Sequence, residues 1–90
     1  MIEKSITVEN SEGLHTRPAN QFVKLVKRHQ SDVKIEKGGR EVPGSSLLKI
    51  MKLGVVQGDQ LLVRCEGADE EEAMAAIERL LKGDAVEVES

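Results

Sequence analysis

The apolar residues of this chain change period repeatedly, from alternation to helical spacing and back, and each short segment owns only one apolar face. Such segments cannot bury themselves alone, so helix stripes must cover a sheet face. Ile2, Lys4, Ile6 and Val8 alternate with Glu3, Ser5 and Thr7, the pattern of a first strand. Ala19, Phe22, Val23 and Val26 then fall at i, i+3, i+4 and i+7, which predicts a helix from Thr16 to Arg28. Pro18 fits only the first turn of that helix, where its missing N–H has no intrahelical partner anyway. Val33 and Ile35 restore the alternation, Lys37-Gly38-Gly39-Arg40 offers a glycine pair for a tight turn, and Val42 lies on the return strand of a hairpin. Ser46 is placed to cap a short helix from Leu47 to Leu53, with Gly54 closing it. Leu61, Val63 and Cys65 form the inner side of a fourth strand, with Leu62 and Arg64 outward. Asp69 and Glu72 have the spacing of a capping box and open a third helix whose Ala73, Ala76, Ile77 and Leu80 share a face, ended by Gly83. The order βαββαβα predicts a two-layer α+β fold.

Ninety residues are expected to form one domain over 1–90, and a chain of that size buries only about 60–65% of its unfolded surface. Phe22 is the sole aromatic residue, so the core must be aliphatic. With 13 Lys and Arg against 16 Asp and Glu the net charge is -3. That sign, and the absence of aromatic platforms for base stacking, argue against a nucleic-acid partner. Cys65 has no second cysteine to pair with and reads as a small buried apolar residue. No Cys/His spacing suggests a metal site, and none is expected. Met1-Ile2-Glu3-Lys4 lacks the order of a signal peptide and no apolar run is long enough to span a bilayer, so a cytoplasmic protein without membrane insertion is expected. Val86-Glu87-Val88-Glu89 alternates like a strand, but so short a terminal run reads as a mobile tail over 84–90. His29, between Arg28 and Gln30, reads as a surface residue.

The chemistry centres on Gly13-Leu14-His15-Thr16-Arg17-Pro18-Ala19. If the helix starts at Thr16, His15 sits at its N-cap, the positive end of the helix dipole. Unpaired backbone N–H groups there favour anions, a setting suited to a neutral ring beside a phosphoryl group. Arg17 adds a permanent cation with fork geometry for phosphate oxygens.

This segment resembles the active-site signature of the HPr family, the histidine phosphocarriers of the bacterial phosphoenolpyruvate-dependent sugar phosphotransferase system. The resemblance continues through Ser46-Leu47-Leu48-Lys49-Ile50-Met51-Lys52-Leu53-Gly54-Val55, similar to the family's second signature around a regulatory serine, and through Gly67-Ala68-Asp69-Glu70. It implies an open-faced sandwich, a four-stranded antiparallel sheet with three helices on one face. It further implies a non-enzymatic carrier, without cofactor or metal, that works as a monomer. His15 would accept a phosphoryl group on Nδ1 from enzyme I, Arg17 would stabilise it, and a IIA protein or domain would receive it.

Ser46 would be the target of an HPr kinase/phosphorylase, giving a form that binds a catabolite repressor. The pattern departs from the family at Ser45, where a basic residue is common, and at Lys49, where glycine is common. The resemblance makes Leu47, Leu48 and Met51 an apolar docking patch, with core packing the competing reading for Ile50 and Leu53. Lys24, Lys27, Lys49 and Lys52 are either a basic rim for acidic partners or solvated helix faces. Thr16, where alanine is common, either contacts a partner or merely fills the first turn. A regulatory relative that controls enzymes or transcription without sugar transport is the alternative to the sugar-uptake carrier.

Overall fold

The computed structural model describes residues 1–83; the tail expected over 84–90 lies outside the described residues. The elements are β1 (Ile2–Thr7), α1 (Thr16–Arg28), β2 (Asp32–Lys37), β3 (Arg40–Pro43), α2 (Leu47–Leu53), β4 (Gln60–Glu66) and α3 (Glu70–Leu81). All strand pairs are antiparallel and the spatial order is β1-β4-β2-β3. The last strand in sequence therefore lies inside the sheet, between β1 and β2.

Register turns the alternation of each strand into rows across the sheet. On the inner side Ile2 faces Cys65 and Cys65 faces Val33, while Lys4, Val63, Ile35 and Val42 make a second row and Ile6 and Leu61 a third. Ile6, Val33, Ile35, Leu61, Val63 and Cys65 are buried there, with Phe22, Val26, Ile50, Ile77 and Leu81 supplied by the helices. Burial raises the Cys65 thiol to about 11, as suits a core side chain rather than a nucleophile. The outer side is polar and open: Arg64 Nε donates to Glu3 at 2.5 Å and its guanidinium also meets Glu36 and Glu41. This is the two-layer α+β fold that the element order predicts, in the open-faced form that the family resemblance implied. Between β2 and β3 only Gly38 and Gly39 intervene, at φ 58° and 82°, the two positive values that a type I′ hairpin turn demands.

Four details depart from the sequence reading. Lys4, on the inner row but at the sheet edge, escapes burial by reaching Glu78 of α3 at 2.6 Å. Ala76 is only half-buried, and Met74 and Leu81 take more of the α3 core face. His29 is not a free surface residue, because its Nδ1 lies 2.9 Å from the Leu25 carbonyl at the end of α1. The capping box does not form. Glu72 is exposed, Glu70 reaches back to the Gly67 N–H at 3.0 Å, and the Asp69 carboxylate turns away to the α1–β2 turn. There it accepts from Ser31 Oγ at 2.5 Å, Ser31 N at 2.9 Å and Gln30 N at 3.0 Å.

Those bonds, the Ser31 hydroxyl first and the Gln30 N–H next, hold the Asp69 carboxyl below its ordinary 3.8. A depressed carboxyl contributes stability that is complete above the unfolded-state value and lost as pH falls through the folded one. Urea unfolding should therefore become easier as pH drops below about 4, and Asp69→Asn should flatten that acid limb. An acid limb of unchanged steepness in the variant excludes Asp69 as a contributor.

Candidate functional site

α1 starts where its sequence predicts. His15 is the N-cap, at φ -82° and ψ -171°, and its carbonyl accepts from Ala19 N at 2.8 Å. The imidazole makes no capping hydrogen bond and is exposed. The ring is thus not spent on capping the helix. No acidic residue stands in the first turn, whereas Lys27 and Arg28 occupy the last. The positive end of the helix dipole is not neutralised by a carboxylate of that first turn. Thr16 and Arg17 are exposed on that turn, while Pro18 and Ala19 are buried beneath it. Arg17 lines an open, polar cleft of about 200 Å³ with Asn10, Ser11, Glu12, Gln21 and Gly83.

The turn before His15 is built by close backbone packing. Gly13 has φ 62°, and a Cβ there would lie 2.4 Å from the Val55 oxygen and 2.8 Å from Val56 Cα. Leu14 N donates to the Val55 oxygen at 3.0 Å and its side chain is buried. On the other side Glu9 N and Asn10 N donate to the Leu81 oxygen at 2.8 and 3.2 Å, anchoring the turn to the end of α3. The 54–59 segment is itself tied down: Lys37 Nζ donates to the Gly54 oxygen at 2.6 Å and pairs with Asp59 at 2.7 Å, and Asp59 accepts from Val56 N at 2.9 Å. The Lys37 ammonium, with the Val56 N–H, draws the Asp59 carboxyl below its ordinary value.

α2 leads into that same segment, ending at Gly54 with φ 70°. Ser46 is its N-cap and accepts from Lys49 N at 3.4 Å. Ile50 and Leu53 are core residues, as the competing reading held. Leu47 and Met51 are half-buried against the core, and Leu48 is 64% exposed. Lys49 and Lys52 are exposed on α2, and Lys24 and Lys27 on α1, whose axis packs against α2. Sequence reasoning missed Val56, 58% exposed next to the Gly13 approach. It also missed Asn10, whose Nδ2 donates to the Gly13 oxygen at 2.7 Å. An Asn three residues before a Gly was the available signal for that turn. Among the described residues no three His, Cys, Asp or Glu side chains are grouped to hold a metal ion, and no helix is long and apolar enough to cross a membrane.

A family profile described as the PTS HPr component phosphorylation site matches residues 2–83. The chain is 38% identical over 82 residues to phosphocarrier protein HPr of Borreliella burgdorferi, which covers 91% of this chain and 95% of that one. Among solved structures it is similar to HPr-C-His from Thermoanaerobacter tengcongensis, with TM-score 0.87, 38% identity and coverage of 96% and 100%. It is also similar to Crh, the Bacillus subtilis catabolite repression protein, with TM-score 0.75, 31% identity and coverage of 97% and 100%.

Gly13→Ala should combine an unfavourable φ with the clash against the 55–56 backbone, costing about 1–3 kcal/mol. Denaturant unfolding measures the cost, and amide shifts of Leu14, His15 and Val56 should move together. A variant as stable as the parent protein, with those shifts in place, contradicts this packing.

Proposed function

The chain belongs to the HPr family of phosphotransferase-system phosphocarriers, and on that premise we propose that His15 accepts a phosphoryl group from enzyme I and passes it to a IIA protein or domain for sugar uptake. The observation that carries this reading is the exposed, uncapped imidazole of His15 at an N-terminus whose first turn holds no acid. In the transfer the Nδ1 lone pair forms a new N–P bond as the donor's bond to phosphorus breaks, the electron pair returning to the donor. Passage to the acceptor reverses the step, with His15 as leaving group. No catalyst of its own is required of the carrier beyond a nucleophile, stabilisation of three phosphoryl oxygens and access for two partners. Arg17 and the first-turn N–H groups supply the stabilisation. Leu48, with Met51 and Leu47 behind it, is the apolar part of the docking surface, and Thr16, Lys24, Lys27, Lys49 and Lys52 border it as contacts for acidic partners. The carrier works in the cytoplasm as a monomer.

Ser46 adds a regulatory role to its capping one. A phosphate there suits the start of α2 while placing negative charge on the docking face, which slows the encounter with enzyme I. An HPr kinase/phosphorylase supplies that phosphate and a catabolite repressor reads it. The likeness to Crh supports a second reading, a regulatory relative that uses these sites without sugar transport.

Incubation with enzyme I, Mg²⁺ and phosphoenolpyruvate should add one phosphoryl group, seen by mass spectrometry and lost in acid. His15→Ala should abolish that addition with the fold intact; phosphate acceptance by the variant rules out His15. Arg17→Ala should slow transfer by about 10²-fold without stopping it, because the helix N-terminus remains. Unchanged rates in both directions remove Arg17 from the mechanism.

Two substitutions of Ser46 separate charge from capping. Ser46→Asp keeps a good N-cap and should reduce the enzyme I encounter rate several-fold at low salt, where charge effects are largest. Ser46→Ala should lose about 1 kcal/mol of stability with little effect on that rate. Equal phosphorylation rates for Ser46→Asp and the parent at low salt leave the serine with its capping role alone.

A further inference from the structure

We propose that Asn10 is a positioning residue for phosphoryl transfer, its carboxamide setting the direction in which the chain presents His15. The inference rests on the reading of His15 as the phosphoryl acceptor.

The imidazole makes no capping hydrogen bond, so the direction in which the side chain leaves the helix N-terminus is set by the backbone that leads into it. One peptide group governs that path, the one joining Gly13 to Leu14. Its carbonyl accepts from Asn10 Nδ2 at 2.7 Å, and its N–H donates to the Val55 oxygen at 3.0 Å. A peptide plane held at both ends cannot rotate, whereas one held only at the N–H can tilt about that bond. Asn10 is itself fixed from outside the turn through its N–H to the Leu81 oxygen at 3.2 Å, and within the turn its carbonyl accepts from Gly13 N at 3.2 Å. Its side chain therefore transmits a fixed frame, the end of α3, to the residue two before His15.

The other half of the carboxamide points to the same role. Asn10 Oδ1 is buried without a hydrogen-bond partner among the described residues. A buried acceptor left unpaired opposes folding, and the Nδ2 donor to Gly13 is what the side chain offers in return. Aspartate at this position would set a carboxylate oxygen against the Gly13 carbonyl, and alanine would leave that carbonyl unpaired, so neither can replace it.

Phosphoryl transfer is sensitive to small displacements of the attacking atom. Asn10→Ala should lower the maximal rate of His15 phosphorylation by enzyme I about tenfold or more, while the KM for enzyme I stays within about twofold because the docking residues of α1 and α2 are untouched. The His15 ring resonances should shift in the same variant. Asp69→Asn, which loosens the distant α1–β2 turn, controls for lost stability and should leave both the rate and the His15 ring resonances unchanged. An Asn10→Ala rate equal to that of the parent overturns the proposal, as does a rate loss matched by Asp69→Asn. If the parent protein takes no phosphate from enzyme I, the carrier reading fails instead; unshifted His15 resonances in Asn10→Ala would then still refute the positioning role.

Discussion

The site depends on a backbone contact. Gly13 lies so close to the Val55 oxygen and Val56 Cα that no side chain fits between them, and the adjacent Leu14 N–H donates across the same gap. This contact joins the turn that presents His15 to the chain leaving α2. Through it the N-terminus of α1 is tied to the segment that carries the exposed Val56. The positive φ at Gly13 is a cost of this approach that only glycine avoids, and Leu14, buried beneath the turn, holds the arrangement in place from the core side.

Around that contact the polar interactions act as ties between elements distant in sequence. Lys37, at the end of β2, reaches both Gly54 and Asp59, fixing the segment on which Gly13 rests. Asp69 gives its carboxylate to Ser31 and Gln30, fastening the end of α1 to the start of α3. The open sheet face carries ion pairs of a different kind, Arg64 among Glu3, Glu36 and Glu41. Exposed pairs of that sort contribute little to stability. Their more useful effect is to keep one face of the sheet wet while the other is covered by helices.

The start of α1 combines an exposed imidazole that makes no capping bond with a helix end that no first-turn acid offsets. His15 caps α1 through its backbone alone, no acid occupies the first turn, and basic residues stand at the far end. A ligand anion at the start of α1 thus meets donors that no side chain of that turn has neutralised. The surface of α1 and α2 is mixed, with Leu48 exposed, Leu47 and Met51 half-withdrawn, and lysines on both helices.

Local pattern determined a good deal here. Alternation placed the strands, Pro18 and the stripe through Phe22 and Val26 placed α1 and put His15 at its cap, and Ser46 and Gly54 bounded α2, because each of these depends on neighbours within one or two turns of chain. What periodicity cannot carry is the identity of the element on the other side of a face. That β4 lies between β1 and β2 was decided only by tertiary pairing, as was the escape of Lys4 to Glu78. Asp69 illustrates the limit: Asp-x-x-Glu spacing is a capping box in isolation, yet three donors from the α1–β2 turn outcompete the local N–H once the chain is folded. Asn10 is the opposite case, because its bond to the Gly13 oxygen spans only three residues and was within reach of local reading. Val56 stayed invisible because its place beside Gly13 exists only after the backbone at 55–56 closes on the turn, and that long-range approach belongs to the fold and not to any stretch of sequence.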